Sequence, residues 1–474
     1  MSPNDQDPAR RPTAPDSVSD PAAPLAADPA SIVAAARELA SEAPGGAEAL
    51  FMAVMLAPEP LPFDFALSVE GAPHNPSLIN PAAAFFAATA TLEPLVARGL
   101  VVTDPDARTY QVVPGVRAVL RDSLDPAEAI EWAGRAVYGL NLVLPDADPG
   151  SWPVVEWLMP HTLACRELVA QRGLRTPAAN RVLHQAGFSL HAQGRHREAA
   201  ELLDLALIVD TEIKGPGHPD IAADLEGLGT VLWAAGDLER AEAVFDRCLA
   251  LQRQIFTEDN SVTAPILNAL AVVRQALGRF DQAEADFLEC LRVLIKVHGE
   301  GHPAVASCLG NLALFHEAAG NPAKALPLAE RALEINRAVL GETHPEVAAD
   351  LTTVGLLCDA LGDAARAETC FRESLAVRQH AFGSDHPETA QALCNLALFL
   401  DGSGRFDEAA ARYEQGLAAY EAALGPGHPL MEPALDHYLA LLERTGSRPR
   451  TDRMRALAEA ALRRVVEGAG GRAG

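Results

Sequence analysis

Lysine is almost missing from this chain. Three are present among 474 residues, Lys214, Lys296 and Lys324, and none stands in the GxxxxGK[ST] loop that cradles nucleotide phosphates. Nucleotide hydrolysis by this chain alone is therefore not expected. There is no GxSxG elbow, no HExxH helix and no convincing Cys/His pair, so the sequence offers no catalytic residue, no cofactor site and no metal site. The seven cysteines are odd in number and scattered without a CxxC, which reads as a reduced, cytoplasmic chain. Aromatic residues make up only 5% against 49% hydrophobic, so the cores are expected to be built from alanine and leucine. The longest apolar run, Ala49 to Pro58, is far shorter than the ~20 residues that a membrane-spanning helix needs. The opening MSPNDQDPARRPTAPDSVSDPAAP has no apolar core, so no signal peptide is expected. Cations are short as well: the formal charge is −26, which makes nucleic acid and anionic membrane poor general partners.

What is present is a period. Gly194, Gly236, Gly278, Gly320, Gly362, Gly404 and Gly446 stand 42 residues apart without an insertion or deletion. Alanine follows the first six at a distance of five (Ala199 to Ala409), leucine follows them at thirteen (Leu207 to Leu417), and another leucine precedes all seven at eleven (Leu183 to Leu435). A fixed period of this size marks a stacked array in which each unit buries its apolar face against its neighbours. Within a unit the apolar residues keep helical spacing on both sides of the glycine, as with Leu225, Leu228 and Leu232 before Gly236 and Ala241, Phe245 and Cys248 after it. Ala206, Cys248, Cys290, Ala332, Ser374 and Gly416 keep one position small, so that backbones can approach. Gly215, Gly299, Gly341, Gly383 and Gly425 are expected to close the second helix as left-handed caps. His-Pro then opens the next unit at 218, 302, 344, 386 and 428, the proline pre-set for a first helical turn.

This pattern resembles the tetratricopeptide repeat, and its length and GxxHP joint resemble the kinesin-light-chain type. The resemblance implies a mostly α fold, a right-handed α-solenoid over residues 179–446. Residues 447–474, with seven arginines against three acids, are expected to form a capping helix and tail. Ahead of the array, residues 1–30 are rich in Pro, Ala, Asp and Ser and are expected to be disordered. Helical patterns run from about Ser31 to Glu42, from Ala47 to Leu56 after an interrupting APGG, and from Pro81 to Arg98. LVVTDPDARTYQVV then reads as two strands around an Asp-Pro-Asp turn. This gives a winged-helix-like module over 31–124 and a helical connector over 125–178, with helices at about 126–143 and 152–172. Residues 47–172 resemble the segment between the ATPase and the repeats of bacterial NB-ARC (STAND-class) proteins, without the P-loop domain. Where that family often has a nucleotide-sensing histidine, this chain reads Val113-Pro114-Gly115. DNA binding by the module is disfavoured, because residues 47–122 hold four arginines and no lysine against eight carboxylates.

The His-Pro histidines come one per repeat, too far apart to share a metal ion, and read as joint residues. Of His184, His191 and His196, only the first two share a helix face. The remaining chemistry is recognition. The resemblance places a concave surface on the first helices, where the residue two before the small Gly/Ala reads Gln185, Gly227, Ala269, Asn311, Thr353 and Asn395. Family members that bind peptides often use an asparagine there to hold the ligand backbone through both ends of its carboxamide. Glu226, Trp233, Asn268, Glu317, Asp359 and Asp401 lie further round the same face and suit a segment with basic side chains. Repeat 3 departs at Thr257, Asn260-Ser261 and Pro265, and repeat 4 at Pro327 and Ala329; the plain reading of these departures is sequence drift, and the sharper one is a kink or weak joint that changes the curvature for a partner. The expected role is a non-catalytic adaptor binding protein or peptide, with no nucleic acid or membrane partner and with homo-oligomerisation open. The alternatives are a STAND-derived regulator acting on a separate ATPase or effector and, third, a winged-helix transcription regulator.

Overall fold

A computed structural model of the chain describes residues 28–68, 80–146, 150–256, 260–426 and 428–447. The contacts divide the chain between Ile255 and Phe256 into two compact bodies. The expected disordered segment lies outside the described residues up to 27, and the expected capping helix lies outside them from 448.

The first body begins with α1 (Pro29–Glu42), capped by Asp28, two residues ahead of the expected start. α2 (Pro44–Met55) takes in both glycines of the APGG that was expected to interrupt it. The reason is steric: a Cβ on Gly46 would stand 2.8 Å from the Thr91 carbonyl of α3 (Pro81–Ala97), so only glycine lets the two helices meet there. β2 (Val101–Asp104) and β3 (Thr109–Val112) fall where the sequence places them, and the Asp104 carboxylate accepts from the backbone of Asp106 and Ala107 to close the turn. A short β1 (Leu61–Pro62), not read from the sequence, pairs on the other side of β3, giving the antiparallel order β1-β3-β2. α4 (Pro114–Ser123), α5 (Pro126–Val143) and α6 (Trp152–Arg172) follow. The repeats then start with α7 (Pro177–Ala192) and α8 (His196–Lys214), then α9 (Pro219–Ala234) and α10 (Leu238–Ile255).

The second body continues as hairpins: α11 (Thr263–Ala276) with α12 (Phe280–His298), α13 (Pro303–Ala318) with α14 (Pro322–Leu340), α15 (Pro345–Ala360) with α16 (Ala364–Phe382), and α17 (Pro387–Gly402) with α18 (Phe406–Leu424). It ends on α19 (Glu432–Thr445). These are the helical repeats of the expected solenoid, and the sheet ahead of them is the only β-structure among the described residues.

Three devices shape the hairpins, two in the backbone and one a side-chain cap. At the turn, Gly194 takes φ 79°, and the next N–H, of Arg195, reaches back to the Leu190 carbonyl at 2.9 Å. The same bond recurs at every period, from Asp237 to Leu232 through Ser447 to Leu442, and satisfies a carbonyl that the helix end leaves over. At the end of the second helix the cap glycines have positive φ, but they are not left-handed helical. Gly215 has φ 89° and ψ 154°, and Gly383 has φ 86° and ψ 177°, an extended region open only to glycine. At the joint the histidine acts as an N-cap: Nδ1 of His218, His302, His344, His386 and His428 accepts from the N–H two residues on, at 3.1–3.3 Å. Repeat 3 lacks that histidine, and Asn260 takes its place, its Oδ1 accepting from Val262 at 2.9 Å. α11 consequently starts at Thr263, two residues late against its siblings. Thr257 lies outside the described residues. Pro327 does not interrupt α14, which runs unbroken from Pro322 to Leu340.

Two side-chain contacts then set how closely the helices of a hairpin pack. A Cβ on Gly229 would stand 2.7 Å from the Phe245 ring, and one on Gly355 would stand 3.1 Å from Phe371. Near the other end, the small residue of the second helix meets a carbonyl in the first turn of the first helix. Cys248 Sγ donates to Ala222 at 3.1 Å, Cys290 Sγ to Ala264 at 3.2 Å and Ser374 Oγ to Ala348 at 2.7 Å, while a Cβ on Gly416 would be 3.0 Å from the Ala390 carbonyl.

Two mutations test this account by denaturant unfolding. Gly229→Ala forces a methyl into the Phe245 ring and is expected to cost about 1–3 kcal/mol, part of it recovered when Phe245→Leu is added. His344→Ala removes the cap of α15 and is expected to cost about 1 kcal/mol, whereas His344→Asn keeps a side-chain acceptor and stays close to wild type.

Candidate partner-binding surfaces

The first helices of the repeats carry the expected recognition positions, and the structure sorts them into different situations. In the first body a shallow groove of about 320 Å³ is lined by Phe188, His191, Ala223, Glu226, Gly227, Thr230 and Val231. Phe188 of α7 lies across α9, its ring 3.2 Å from where a Cβ on Gly227 would stand. The departure from asparagine at 227 thus has a packing cause. Phe188 stays 39% exposed, stacked on His184 at 5.7 Å between ring centres.

Glu226 is half-buried beside this ring, and its carboxylate makes no ion pair or side-chain hydrogen bond among the described residues. Burial pushes its pKa above the usual carboxylate range. His191 Nδ1 stands 3.0 Å from His196 Nδ1, so one ring donates to the other; burial, then the neighbouring His196, lowers the His191 pKa. Sequence spacing had paired His191 with His184 and missed this contact across the turn. Gln185 is half-buried, with its Nε2 3.4 Å from Asp146 Oδ1, and is already engaged within the chain. Trp233 is 47% exposed at the end of α9, outside the residues that line the groove.

In the second body, Asn268 and Asn311 are brought together: Asn311 Nδ2 donates to Asn268 Oδ1 at 2.8 Å. Asn395 Oδ1 accepts from Gln391 Nε2 at 2.9 Å, and Gln391 Oε1 accepts from the Tyr420 hydroxyl at 2.8 Å. Each asparagine therefore keeps only part of its carboxamide for a ligand, whereas the clamp expected from sequence would use both ends. Thr353 gives its hydroxyl to the Ala349 carbonyl at 3.3 Å. Glu317 and Asp359 make no ion pair or side-chain hydrogen bond among the described residues. Asp401 departs from that pattern: it is paired with Arg444 of α19, whose guanidinium also lies over Phe406 at 5.2 Å. It is not a free acid for a partner.

The sequence reading passed over Leu314, Leu356 and Leu398, which are 48%, 40% and 44% exposed. Their 42-residue spacing was a readable signal, hidden because leucine in a helical repeat is ordinarily taken for core.

Among the described residues, no three His, Cys, Asp or Glu side chains are placed to hold a metal ion. No helix among them is long and apolar enough to cross a membrane. All cysteines but Cys370 are buried, and burial raises the thiol pKa at Cys165, Cys248 and Cys394.

A family model described as tetratricopeptide repeat matches residues 179–254, 262–338, 309–379 and 360–422, together half of the chain. Among solved structures, the chain is similar to BtubC (BKLC) from P. vanneervenii, with 22% identity over 51% of this chain and 94% of that one at a TM-score of 0.42. It is similar to a putative kinesin light chain with nearly identical TPR-like repeats from Podospora anserina, with 20% identity over 44% of this chain and 99% of that one at 0.40. A STAND protein with a tetratricopeptide repeat sensor from Pyrococcus horikoshii aligns with 89% of this chain and 64% of its own, at 11% identity and a TM-score of 0.47. No curated protein matches the chain.

The raised pKa of Glu226 has a testable sign. A carboxyl that holds its proton more tightly when folded contributes stability below its unfolded pKa, and that stability is lost as pH rises through the folded value. At neutral pH the folded chain therefore carries a half-buried charge at a cost. Glu226→Gln is expected to melt at a higher temperature than wild type at pH 7, with the difference closing as the pH is lowered through the carboxylate range. Thermal melting followed by circular dichroism at a series of pH values reads it.

Proposed function

Because the chain belongs to the tetratricopeptide repeat family, we propose that it is a non-catalytic scaffold that holds protein or peptide partners on the first-helix faces of its repeats. The observation that carries this reading is the set of carboxylates left without an internal partner, Glu226, Glu317 and Asp359, beside exposed apolar side chains on those faces. With a formal charge of −26, such faces suit partners with lysine or arginine side chains. Asn311 and Asn395 contribute the free halves of their carboxamides at the rim, and Trp233 offers an aromatic anchor of the kind that dominates binding energy at interfaces. Asp401 has a structural role in this reading.

A second reading has one observation behind it. Residues 47–172, which resemble the post-ATPase segment of STAND proteins, form a helical module with a three-stranded sheet ahead of the repeats. In that reading the partner is a separate ATPase or effector that the repeats regulate.

Affinity capture with mass spectrometry, comparing wild type with the triple variant Glu226→Lys/Glu317→Lys/Asp359→Lys, tests the scaffold. A defined set of partners is expected on wild type and lost from the variant. An unchanged set would remove these faces from recognition, and a nucleotide-binding protein in the lost set would favour the regulator.

A further inference from the structure

Leu314, Leu356 and Leu398 occupy one position in α13, α15 and α17, at intervals of 42 residues, and all three are exposed. These three helices lie side by side in the second body, so the leucines form a row that crosses them. Residues three apart share a helix face. One turn before each leucine stands Asn311, Thr353 or Asn395, and one turn after it stands Glu317, Asp359 or Asp401. The face is a ladder of three rows: polar, leucine, acidic.

The spacing of the ladder selects what fits it. Helices packed side by side stand ~8–10 Å apart. In an α-helix seven residues rise ~10.5 Å and return to nearly the same side, so every seventh residue keeps step with the leucines. In an extended strand, residues on one side recur at ~6.8 Å and fall out of step. A polyproline segment, at ~9.3 Å per turn, keeps step but leaves its backbone groups unpaired. The face is poorly equipped to pair them: Asn311 Nδ2 is given to Asn268, Asn395 Oδ1 is taken by Gln391, and the Thr353 hydroxyl is given to Ala349. A helix satisfies its own backbone and asks only for an apolar seam and matching charge. Glu317 and Asp359 supply that charge, unpaired on the same side of the row.

We propose that this face of repeats 4 to 6 takes an amphipathic α-helix of a partner protein, with leucine-like side chains at every seventh residue over Leu314, Leu356 and Leu398 and with arginine or lysine along the flank over Glu317 and Asp359. The proposal rests on the scaffold reading and narrows it to one partner class at one surface.

The test uses the full chain and three labelled synthetic peptides in fluorescence anisotropy at low salt. The first has leucine at every seventh position over about four helical turns with arginine on one flank. The second carries glutamate in place of the arginines, and the third is the first with prolines that break the helix. The first peptide is expected to bind and the other two to bind at least about tenfold more weakly. The variant Leu314→Asn/Leu356→Asn/Leu398→Asn is expected to lose about tenfold for the first peptide while keeping wild-type helicity, since all three positions are exposed. Glu317→Lys/Asp359→Lys, which leaves the leucines in place, is expected to reverse the preference between the arginine and glutamate peptides. Equal binding of the proline peptide, no binding of any peptide, or binding indifferent to the leucines would overturn the proposal. So would a dimer that the leucine variant converts to monomer, because the occupant would then be a second copy of the chain. If the peptides fail while the capture experiment still yields partners lost on acid reversal, the helix is wrong and the scaffold stands. If capture yields no such partners, the scaffold reading itself fails.

Discussion

The repeats depend on how closely the two helices of a hairpin approach. A side chain that is missing or minimal on the first helix, at Gly187, Gly229, Ala271, Gly355 and Ala397, receives a bulky one sixteen residues later, at Leu203, Phe245, Phe287, Phe371 and Tyr413. Leu203 and Phe245 pass so close to Gly187 and Gly229 that a Cβ would have to displace them. The second contact, between the small residue of the second helix and a carbonyl of the first, fixes the opposite end. With both ends fixed, the hairpin has one packed arrangement, and the buried rows of one repeat are set to meet those of the next.

Repeat 4 shows what happens when one of these terms is removed. Ala329 stands where the ring belongs and faces another alanine, Ala313, so the pair leaves volume to be filled. Leu328 is partly buried and packs against both neighbouring core clusters, while Phe315 of the first helix comes within 5.7 Å of the Phe287 ring. Bulk has moved to adjacent positions. Pro327 is tolerated for a related reason: it sits on the exposed side of α14, so the carbonyl of Ala323 that loses its hydrogen bond is open to water. The helix continues through the proline, as the plainer of the two sequence readings has it.

Repeat boundaries, turn glycines, joints and small positions were legible in the sequence because each is set by a contact that returns every 42 residues, and a returning constraint leaves a returning letter. The failures have equally local causes. Gly45 and Gly46 looked like a break because nothing nearby in the chain announces the Thr91 carbonyl that Gly46 must clear. The cap glycines were legible as positive φ, but their ψ is decided by where the joint must lead. Asn260 as a substitute cap could not be recognised before the histidines were known to accept hydrogen bonds through Nδ1. On the first-helix face, Asp401 and Glu317 occupy equivalent positions and look alike in sequence, yet Arg444 claims only the first.

That last contrast separates structure from recognition along these helices. Positions under packing constraint vary little from repeat to repeat. The face two residues before the small Gly/Ala runs through Gln, Gly, Ala, Asn, Thr and Asn, because packing within the hairpin does not dictate it. Variation alone marks only freedom. What distinguishes a binding face from a merely solvated one is a cost that the isolated chain leaves standing, and this chain keeps two kinds. Glu226 is a charge held half out of water with no counter-charge, and Leu314, Leu356 and Leu398 are apolar area held in water in a regular row. Either could be relieved cheaply by a change of residue, the acid by glutamine and the leucines by any polar helix former. A partner cation at Glu226, or a partner's apolar seam over the leucines, would relieve the corresponding cost without such a change and would convert it into binding free energy.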